Sequence, residues 1–464
     1  MQIQSSEVLV VGAGLAGFAA ALRASEQGAK VVLIDKSDGD CGDGNTLMTS
    51  GSLRAAGRSP RSNPTDLYEL VMAQGVGYPD LVKAWSETCG RAVEWLFRSG
   101  VVIKETEPGR VWLDQESEIS LAPVYKKHVG RKALMTLRRR FEDLGGKFEN
   151  GIEARRLLLQ NSRVGGVLGT SSRGDIELRS RTTILTTGGF SANQAMVKQY
   201  IGPRAGECKL RGAQSCTGDG LRMALDAGAK AINLQYFYGH LLSRKALTDD
   251  RFWPYPRLDA FVDEGILVNR SAERFVDEGR GDVAMANDVA RSADVADNAL
   301  IFDDETWQAA KDDAFSASVK TPAPNSWLAD HQGDIYFDSL IEGLAHAIGV
   351  DAARLAATVE QYNQAVESNN TAALPVPRTG RPKPLRAPFC ALKVVPGITF
   401  TMGGALVNGC CEVLDDNENP IAGLYAAGDT IGGLMGGYRG GYTGGLMQAI
   451  VTGILAGENA AHKA

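Results

Sequence analysis

Apolar residues near the N-terminus fall into two short runs, Glu7-Val-Leu-Val-Val11 and Lys30-Val-Val-Leu-Ile34. Runs without polar alternation belong to strands covered on both faces, as in a parallel sheet. Between them, Phe18-Ala-Ala-Ala-Leu-Arg-Ala-Ser-Glu-Gln27 has the composition of a helix, and Gly28 is placed to stop it. Another buried strand is predicted in Pro420-Ile-Ala-Gly-Leu-Tyr-Ala-Ala427, and a helix from Leu446 to Leu455. The alternation predicts an α/β fold built on a parallel sheet.

The first strand runs directly into Gly12-Ala-Gly14-Leu-Ala-Gly17, and the helix follows. Gly12 suits a tight turn, Gly14 lets backbone approach a pyrophosphate, and Gly17 lets helix and strand pack closely, so that amide N–H groups face the phosphates. Asp35 closes the second strand at the distance expected of a carboxylate that accepts ribose hydroxyls. A glycine-rich loop alone would mean little. Strand, turn, helix and acid in succession predict a site for adenosine diphosphate. The acid at position 35 argues against a 2′-phosphorylated dinucleotide and leaves FAD and NAD open.

A chain of 464 residues, 44% apolar and 22% charged, has room for more than one core, so two joined domains are expected. The net charge of −6 and the lack of Lys/Arg runs disfavour nucleic acid and phospholipid surfaces as partners. The seven cysteines are scattered and never spaced C-x-x-C, which predicts reduced thiols and a cytoplasmic location. Met1-Gln-Ile-Gln-Ser-Ser leads into the first strand without a basic leader, and no apolar stretch is long enough to span a bilayer.

Eight segments, taken in chain order, bear on the cofactor: the glycine turn; Gly44-Asn-Thr-Leu-Met-Thr-Ser50-Gly51; Thr186-Thr-Gly188-Gly189-Phe190 with Asn193; Thr217-Gly-Asp219-Gly220; Gly265-Ile-Leu-Val-Asn269 with Glu273-Arg-Phe275; Pro388-Phe; Thr401-Met-Gly403-Gly404; and Ala427-Gly428-Asp429. Through them the chain resembles the flavoprotein family of fumarate reductases, succinate dehydrogenase flavoprotein subunits, aspartate oxidase and 3-ketosteroid dehydrogenases. The resemblance implies a Rossmann-like FAD-binding domain, residues 1–235 and 391–464, interrupted by an α+β capping domain, residues 236–390. The proline-rich run 374–388 would be the return linker, and a cap on two connections would close as a lid that excludes water.

The same resemblance implies the FAD contacts. Gly12, Gly14, Leu15, Ala16 and Gly17 would form the turn that presents amides to the pyrophosphate, Asp35 would accept the ribose hydroxyls, and Lys36 would bind the cofactor beside it. Asn45, Thr46, Ser50, Gly51, Thr187, Gly188, Gly189, Asn193, Thr217 and Asp219 would line the cofactor. Gly403 would lie near the ring and Gly428-Asp429 at the ribityl chain, while Gly444, Gly445 and Leu446 would open a helix whose N-terminus faces the flavin N1/C2 edge. Members with covalent flavin carry a histidine in the segment matching Asn45–Ser50; none stands here, so non-covalent FAD is expected. There is no C-x-x-C-H haem motif.

Breaking a C–H bond next to a carbonyl or carboxylate requires donors that polarise that group and a residue that handles the proton. Counted from Gly428, Arg439 falls where fumarate reductases carry the arginine that clamps a substrate carboxylate. Tyr438 lies one position before the ketone-donating tyrosine of ketosteroid dehydrogenases, and Tyr442 is the other candidate; packed aromatics are the plain alternative. His240 ends Gln235-Tyr-Phe-Tyr-Gly-His240, a segment where fumarate reductases hold a carboxylate-binding histidine, though their proline is missing and a structural histidine competes. The proton-delivering arginine of fumarate reductases matches Gly281, beside Arg280. Tyr255 is a candidate base if a cation lies next to it. Thr399-Phe400 stands where fumarate reductases have two histidines, and with Tyr236, Tyr238 and Tyr255 it predicts a bulkier or cyclic substrate.

The expected activity is that of an FAD-dependent dehydrogenase, or desaturase. It would introduce a C=C bond next to the carbonyl or carboxylate of a small cyclic keto acid, such as an oxocyclohexanecarboxylate. Hydride would leave to flavin N5, and the electrons would pass to oxygen or a carrier. The alternatives are an enoate or fumarate-type reductase, a tricarballylate-like dehydrogenase and, in another class, a flavoprotein subunit that acts only in an electron-transfer complex.

Overall fold

The computed structural model describes residues 2–107, 109–113, 119–120, 128–310, 319–320 and 323–464. The elements that build the site begin with β1 (Val8–Val11), α1 (Leu15–Glu26), β2 (Val31–Ile34), β3 (Lys147–Glu149) and β4 (Thr182–Leu185). There follow β5 (Phe237–Ser243), α2 (Asp259–Glu264), α3 (Asp282–Arg291), β6 (Asn298–Asp303) and the long β7 (Phe389–Thr401). Then come β8 (Pro420–Ala426) and α4 (Gly445–His462).

The first sheet has six strands in the order Glu412–Leu414, β8, β4, β1, β2, β3. Every neighbouring pair is parallel except Glu412–Leu414 with β8. All residues of β1, β2 and β4 are buried, which is why these segments lack polar alternation. The helix expected from Phe18 begins at Leu15, because the glycine turn winds directly into it; Gly28, at φ +89°, ends it as expected. α4 runs well past the expected Leu455 and packs on α1. A Cβ at Gly453 would meet the Ala16 carbonyl oxygen at 2.6 Å, so the two backbones touch closely. Arg23 and Arg91 converge on Glu458 of α4, at 2.7 and 2.5 Å. A separate four-stranded sheet joins Gln2–Ser5, in parallel, to Gly174–Arg179, Arg163–Ser171 and Glu153–Gln160, the last three lying in the chain between β3 and β4.

The second sheet is organised by β7. It pairs antiparallel with β5, β6 and Ile335–Asp338, and parallel with Lys209–Leu210. The domain border expected at residue 391 therefore falls inside one continuous strand, whose first half pairs β6 and whose second half pairs β5. A smaller core that includes Ile266, Ile301, Leu344, Leu355 and Tyr362 packs against this sheet. None of the seven cysteines is in a disulfide. Among the described residues, no helix is long and apolar enough to cross a membrane.

Candidate active site

A cavity of about 500 Å³ runs along the carboxyl ends of β1, β2, β4 and β8 and continues to the surface of β5 and β7. Crevices at this end of a parallel sheet are where nucleotides bind, because the loops and helix N-termini there present unpaired N–H groups.

The glycine turn forms one wall. A Cβ at Gly17 would lie 1.8 Å from the Gly12 carbonyl oxygen, so only glycine lets helix and strand meet there. At Gly14 a Cβ would meet nothing nearer than Thr46 Oγ1 at 3.6 Å, which leaves the backbone open to the cavity. Asp35 braces the turn: Oδ2 accepts the Ala13 N–H at 2.7 Å and Oδ1 the Ser37 N–H at 2.9 Å. Each oxygen keeps a further lone pair for a ribose hydroxyl. Thr46 Oγ1 accepts the Leu15 N–H at 3.1 Å, and Lys36 Nζ donates to Thr217 Oγ1 and Asp219 Oδ2 at 2.6 and 2.7 Å.

Of the expected cofactor residues, Gly12, Gly14, Leu15, Ala16, Asp35, Lys36, Asn45, Thr46, Ser50, Thr187, Gly188, Asp219, Gly428, Asp429, Gly445 and Leu446 line the cavity. Gly17, Gly51, Gly189, Asn193, Thr217, Gly403 and Gly444 stand behind the wall and shape it. Asn193 caps a helix through the Met196 N–H and donates to the Thr217 carbonyl. Cβ atoms at Gly189, Gly403 and Gly444 would collide with Thr401, Asn233 and Arg54 at 2.0, 2.2 and 1.9 Å. Asn45 ties the wall to β7, donating to the Thr399 carbonyl at 3.2 Å while accepting the Ala213 N–H at 2.7 Å.

Asp429 is the clearest sign of what the cavity holds. Its carboxylate lines the wall without a hydrogen-bond partner among the described residues, and burial pushes its carboxyl up to about 7. An acceptor in that state fits a hydroxyl-bearing chain such as the ribityl chain of FAD. The open Gly14 backbone, the Asp35 carboxylate and the N-terminus of α4 at Gly445 fit the rest of that group.

The other end of the cavity is aromatic and cationic. Tyr238 and Tyr442 stack with ring centroids 4.2 Å apart, Phe400 lies 5.1 Å from Tyr238, and Tyr442 Oη accepts the Gly445 N–H at 3.1 Å. Tyr255 is 7% exposed, with the guanidinium carbons of Arg211 and Arg257 at 5.4 and 6.0 Å from its ring. Arg211 donates to Thr399 Oγ1 and to the Pro254 carbonyl at 2.7 and 3.1 Å. Arg439 lines the wall, exposed, and makes no hydrogen bond or ion pair among the described residues. His240, at 2% exposed, is bonded through both ring nitrogens.

Tyr438 and Arg280 are placed elsewhere. Tyr438 is 60% exposed, and its ring carries the Arg280 guanidinium 3.9 Å above its centre. Arg280 donates twice to the Tyr438 carbonyl, at 2.8 and 2.6 Å, and pairs with Asp288 at 2.7 Å. Its donors are used in holding the loop that carries Arg439, and it does not line the cavity. That loop is packed tightly: a Cβ at Gly440 would strike Val283 at 2.8 Å. Arg211, Arg257, Asp259 and Asp282 escaped the sequence reading because they sit in no motif. The one available signal was the two-residue spacing of Tyr238 and His240 on a strand, which puts them on one face.

Cleft, cradle and second sheet define a flavoprotein oxidoreductase. The chain belongs to the family described as FAD binding domain, whose model matches residues 7–445, and its cofactor is FAD. It is 30% identical over 447 residues to the urocanate reductase of Eggerthella lenta, covering 92% of this chain and 70% of that protein. It is 29% identical over 447 residues to a probable fumarate reductase of Shewanella frigidimarina, covering 93% and 71%. In fold it is similar to the 3-ketosteroid-Δ4-(5α)-dehydrogenase of Rhodococcus jostii, with a TM-score of 0.74 over 99% of this chain and 97% of that one; at 21% identity this likeness speaks for the fold alone. The family expected from the eight segments is the family found.

Proposed function

We propose that the protein reduces the C=C bond of an α,β-unsaturated carboxylic acid that carries a flat or cyclic body. The observation that carries this reading is the unpaired Arg439 guanidinium on the cavity wall shared with the aromatic group Tyr238, Tyr442 and Phe400. A planar guanidinium binds a carboxylate through two parallel hydrogen bonds, and the aromatic faces pack a conjugated or ring substrate. FAD, when bound, supplies a two-electron hydride carrier. Arg211 and Arg257 add positive charge at the same end, which draws electron density towards the substrate's carbonyl oxygens. The protein's partner in the catalytic cycle is an electron carrier; the two sequence relatives quoted above are named as reductases, which supports this direction, while the fold neighbour is named as a dehydrogenase.

A second reading is the reverse reaction, desaturation of an oxocyclohexanecarboxylate. Tyr255 between two guanidiniums favours it, since that cluster suits a substrate with a ketone as well as a carboxylate. Anaerobic mixing separates the two. Reduced holoenzyme is mixed with fumarate, urocanate, cinnamate or 1-cyclohexenecarboxylate, and oxidised holoenzyme with oxocyclohexanecarboxylates, while flavin absorbance is followed. Reoxidation by a ring-bearing enoate is the expected result. Bleaching by the keto acids alone establishes the second reading, and silence in both arms removes both.

A further inference from the structure

The substrate end of the cavity contains a chain of acid–base groups that carboxylate binding does not use. Tyr238 and His240 stand on one face of β5, and His240 Nε2 lies 3.0 Å from Tyr238 Oη. On its other side, His240 Nδ1 lies 3.0 Å from Asp259 Oδ1 at the start of α2 and 2.7 Å from Asp282 Oδ2 at the start of α3. Carboxylates only accept, so Nδ1 carries a hydrogen and Nε2 is the nitrogen free to exchange one with the tyrosine. Among the described residues, His240 is the one hydrogen-bond partner of the Tyr238 hydroxyl, and Tyr238 lines the cavity. Tyr442 Oη, by contrast, makes one hydrogen bond among the described residues, accepting the Gly445 N–H, so no acid–base group stands behind it to reload it, and Arg280 is engaged outside the cavity.

We propose that Tyr238 is the proton donor to the substrate carbon, and that His240, oriented by Asp259 and Asp282, reloads it. The proposal rests on the reading of the site as a C=C reductase. In the forward direction the Tyr238 Oη–H bond breaks and its proton is taken up by the π electron pair at the carbon next to the carboxylate. The adjacent carbon would take up the hydride that FAD would supply when bound, so that the C=C bond becomes a C–C bond and two C–H bonds form. The Tyr238 oxygen regains a proton from Nε2–H of the His240 imidazolium, and the neutral imidazole, which keeps Nδ1–H on the carboxylates, recovers a proton at Nε2 from water in the cavity that both residues line. Desaturation is the same sequence run backwards.

The surroundings suit these steps. Burial pushes the Tyr238 hydroxyl well above the ordinary value for a phenol, while Arg257 and Arg211 act in the opposite sense. The group therefore rests protonated, and the two cations stabilise the negative oxygen it becomes in passing. Burial alone would raise the Asp259 carboxyl, but the charges of His240 and Arg257 outweigh it and hold Asp259 well below the usual range, so it stays ionised to orient the imidazole. Asp282, its side chain 31% exposed, stays in contact with solvent while it holds Nδ1–H, and His240 lines the cavity together with Tyr238. His240, Asp259 and Asp282 also have the types and spacing of a metal site, within 4.8 Å of one another. Arg257 Nη1, however, already sits 2.9 Å from the second Asp259 oxygen, where a cation would compete with it.

The test uses holoenzyme and whichever of fumarate, urocanate, cinnamate and 1-cyclohexenecarboxylate the wild type reduces. Tyr238→Phe is expected to lower kcat by about 100-fold or more, the usual effect of removing a general acid. Its KM should stay within about threefold and its flavin spectrum should be unchanged. His240→Gln should lower kcat and raise the solvent deuterium isotope effect above that of the wild type, because reloading becomes slow. Should Tyr238→Phe not bind FAD, His240→Gln and its isotope effect decide the matter alone. A Tyr238→Phe enzyme with kcat near wild type, or a His240→Gln enzyme with an unchanged isotope effect, overturns the relay and leaves the reductase reading standing. A wild type that reduces none of the four acids removes that reading and the relay with it.

Discussion

Replacing Asp429 by Asn tests the cofactor cradle in the absence of any substrate. Burial pushes this carboxyl from its ordinary 3.8 up to about 7. The folded value lies above the unfolded one, so protonation favours the folded state. That contribution is fully present below about pH 4 and is lost as the pH rises to about 7. The full shift corresponds to about 4 kcal/mol, and because the carboxylate faces an open cavity about half of that, some 2 kcal/mol, is expected. Asp429→Asn removes the titration. In urea unfolding of flavin-free protein the variant should gain on the wild type as pH increases from 4.5, with the gap levelling above about pH 7. Saturating FAD should close or reverse that gap at pH 8, since hydrogen bonds to a charged acceptor contribute roughly 1.5–3 kcal/mol, making the wild type bind FAD about 10- to 100-fold more tightly. A stability gap that does not change with pH would refute the picture of a buried, unpartnered carboxylate.

Arg439→Ala should keep its FAD and its yellow colour but bind carboxylate substrates about 10- to 100-fold more weakly; because the side chain is exposed, the loss is set at the lower end of the range for a carboxylate left unpaired. Unchanged KM would remove the clamp. Gly17→Ala and Gly14→Ala should separate folding from binding: the first drives a methyl to within 1.8 Å of a carbonyl oxygen and should cost roughly 1–3 kcal/mol in thermal unfolding, while the second makes only ordinary contact with Thr46 Oγ1, at 3.6 Å, and should fold normally with less FAD per chain. Equal melting temperatures for the two would contradict the packing described at Gly17. Arg280→Ala should raise KM several-fold with kcat within about threefold, because it loosens the Tyr438 carbonyl next to Arg439. A kcat loss of about 100-fold at constant KM would return Arg280 to the reacting carbon.

The two halves of the site differ in how far they can be read from the chain, and the reason is physical. The FAD half is a set of backbone constraints. A helix starting one turn after a buried strand needs glycine where Gly12 and Gly17 stand, whatever surrounds them, so a contiguous motif carries the information. The substrate half is made of side chains delivered by separate elements: Arg211 beside β7, Arg257 and Asp259 at α2, Asp282 at α3, and Tyr238 and His240 on β5. Their juxtaposition depends on β7 pairing β5 and β6 across a strand that the expected domain border at 391 divided. In the loop of Arg439, neighbouring residues face opposite ways: Arg439 meets the cavity, whereas Tyr438 lies under Arg280, a difference that spacing from Gly428 does not reveal.

Thr399-Phe400 shows the consequence for function. The residues in the place of the two expected histidines do not leave a gap: Thr399 Oγ1 accepts from Arg211 Nη1, and Phe400 packs against Tyr238 and the Gly445 backbone. The change therefore replaces two imidazole donors with one positioned guanidinium and one apolar face, while the wall towards FAD, carried by Asn45 and the Thr399 carbonyl, is kept. Under the proposed function, a site built this way would favour a substrate with a single anionic end and a body flat enough to lie against Tyr238, Tyr442 and Phe400, over a small one that is polar at both ends.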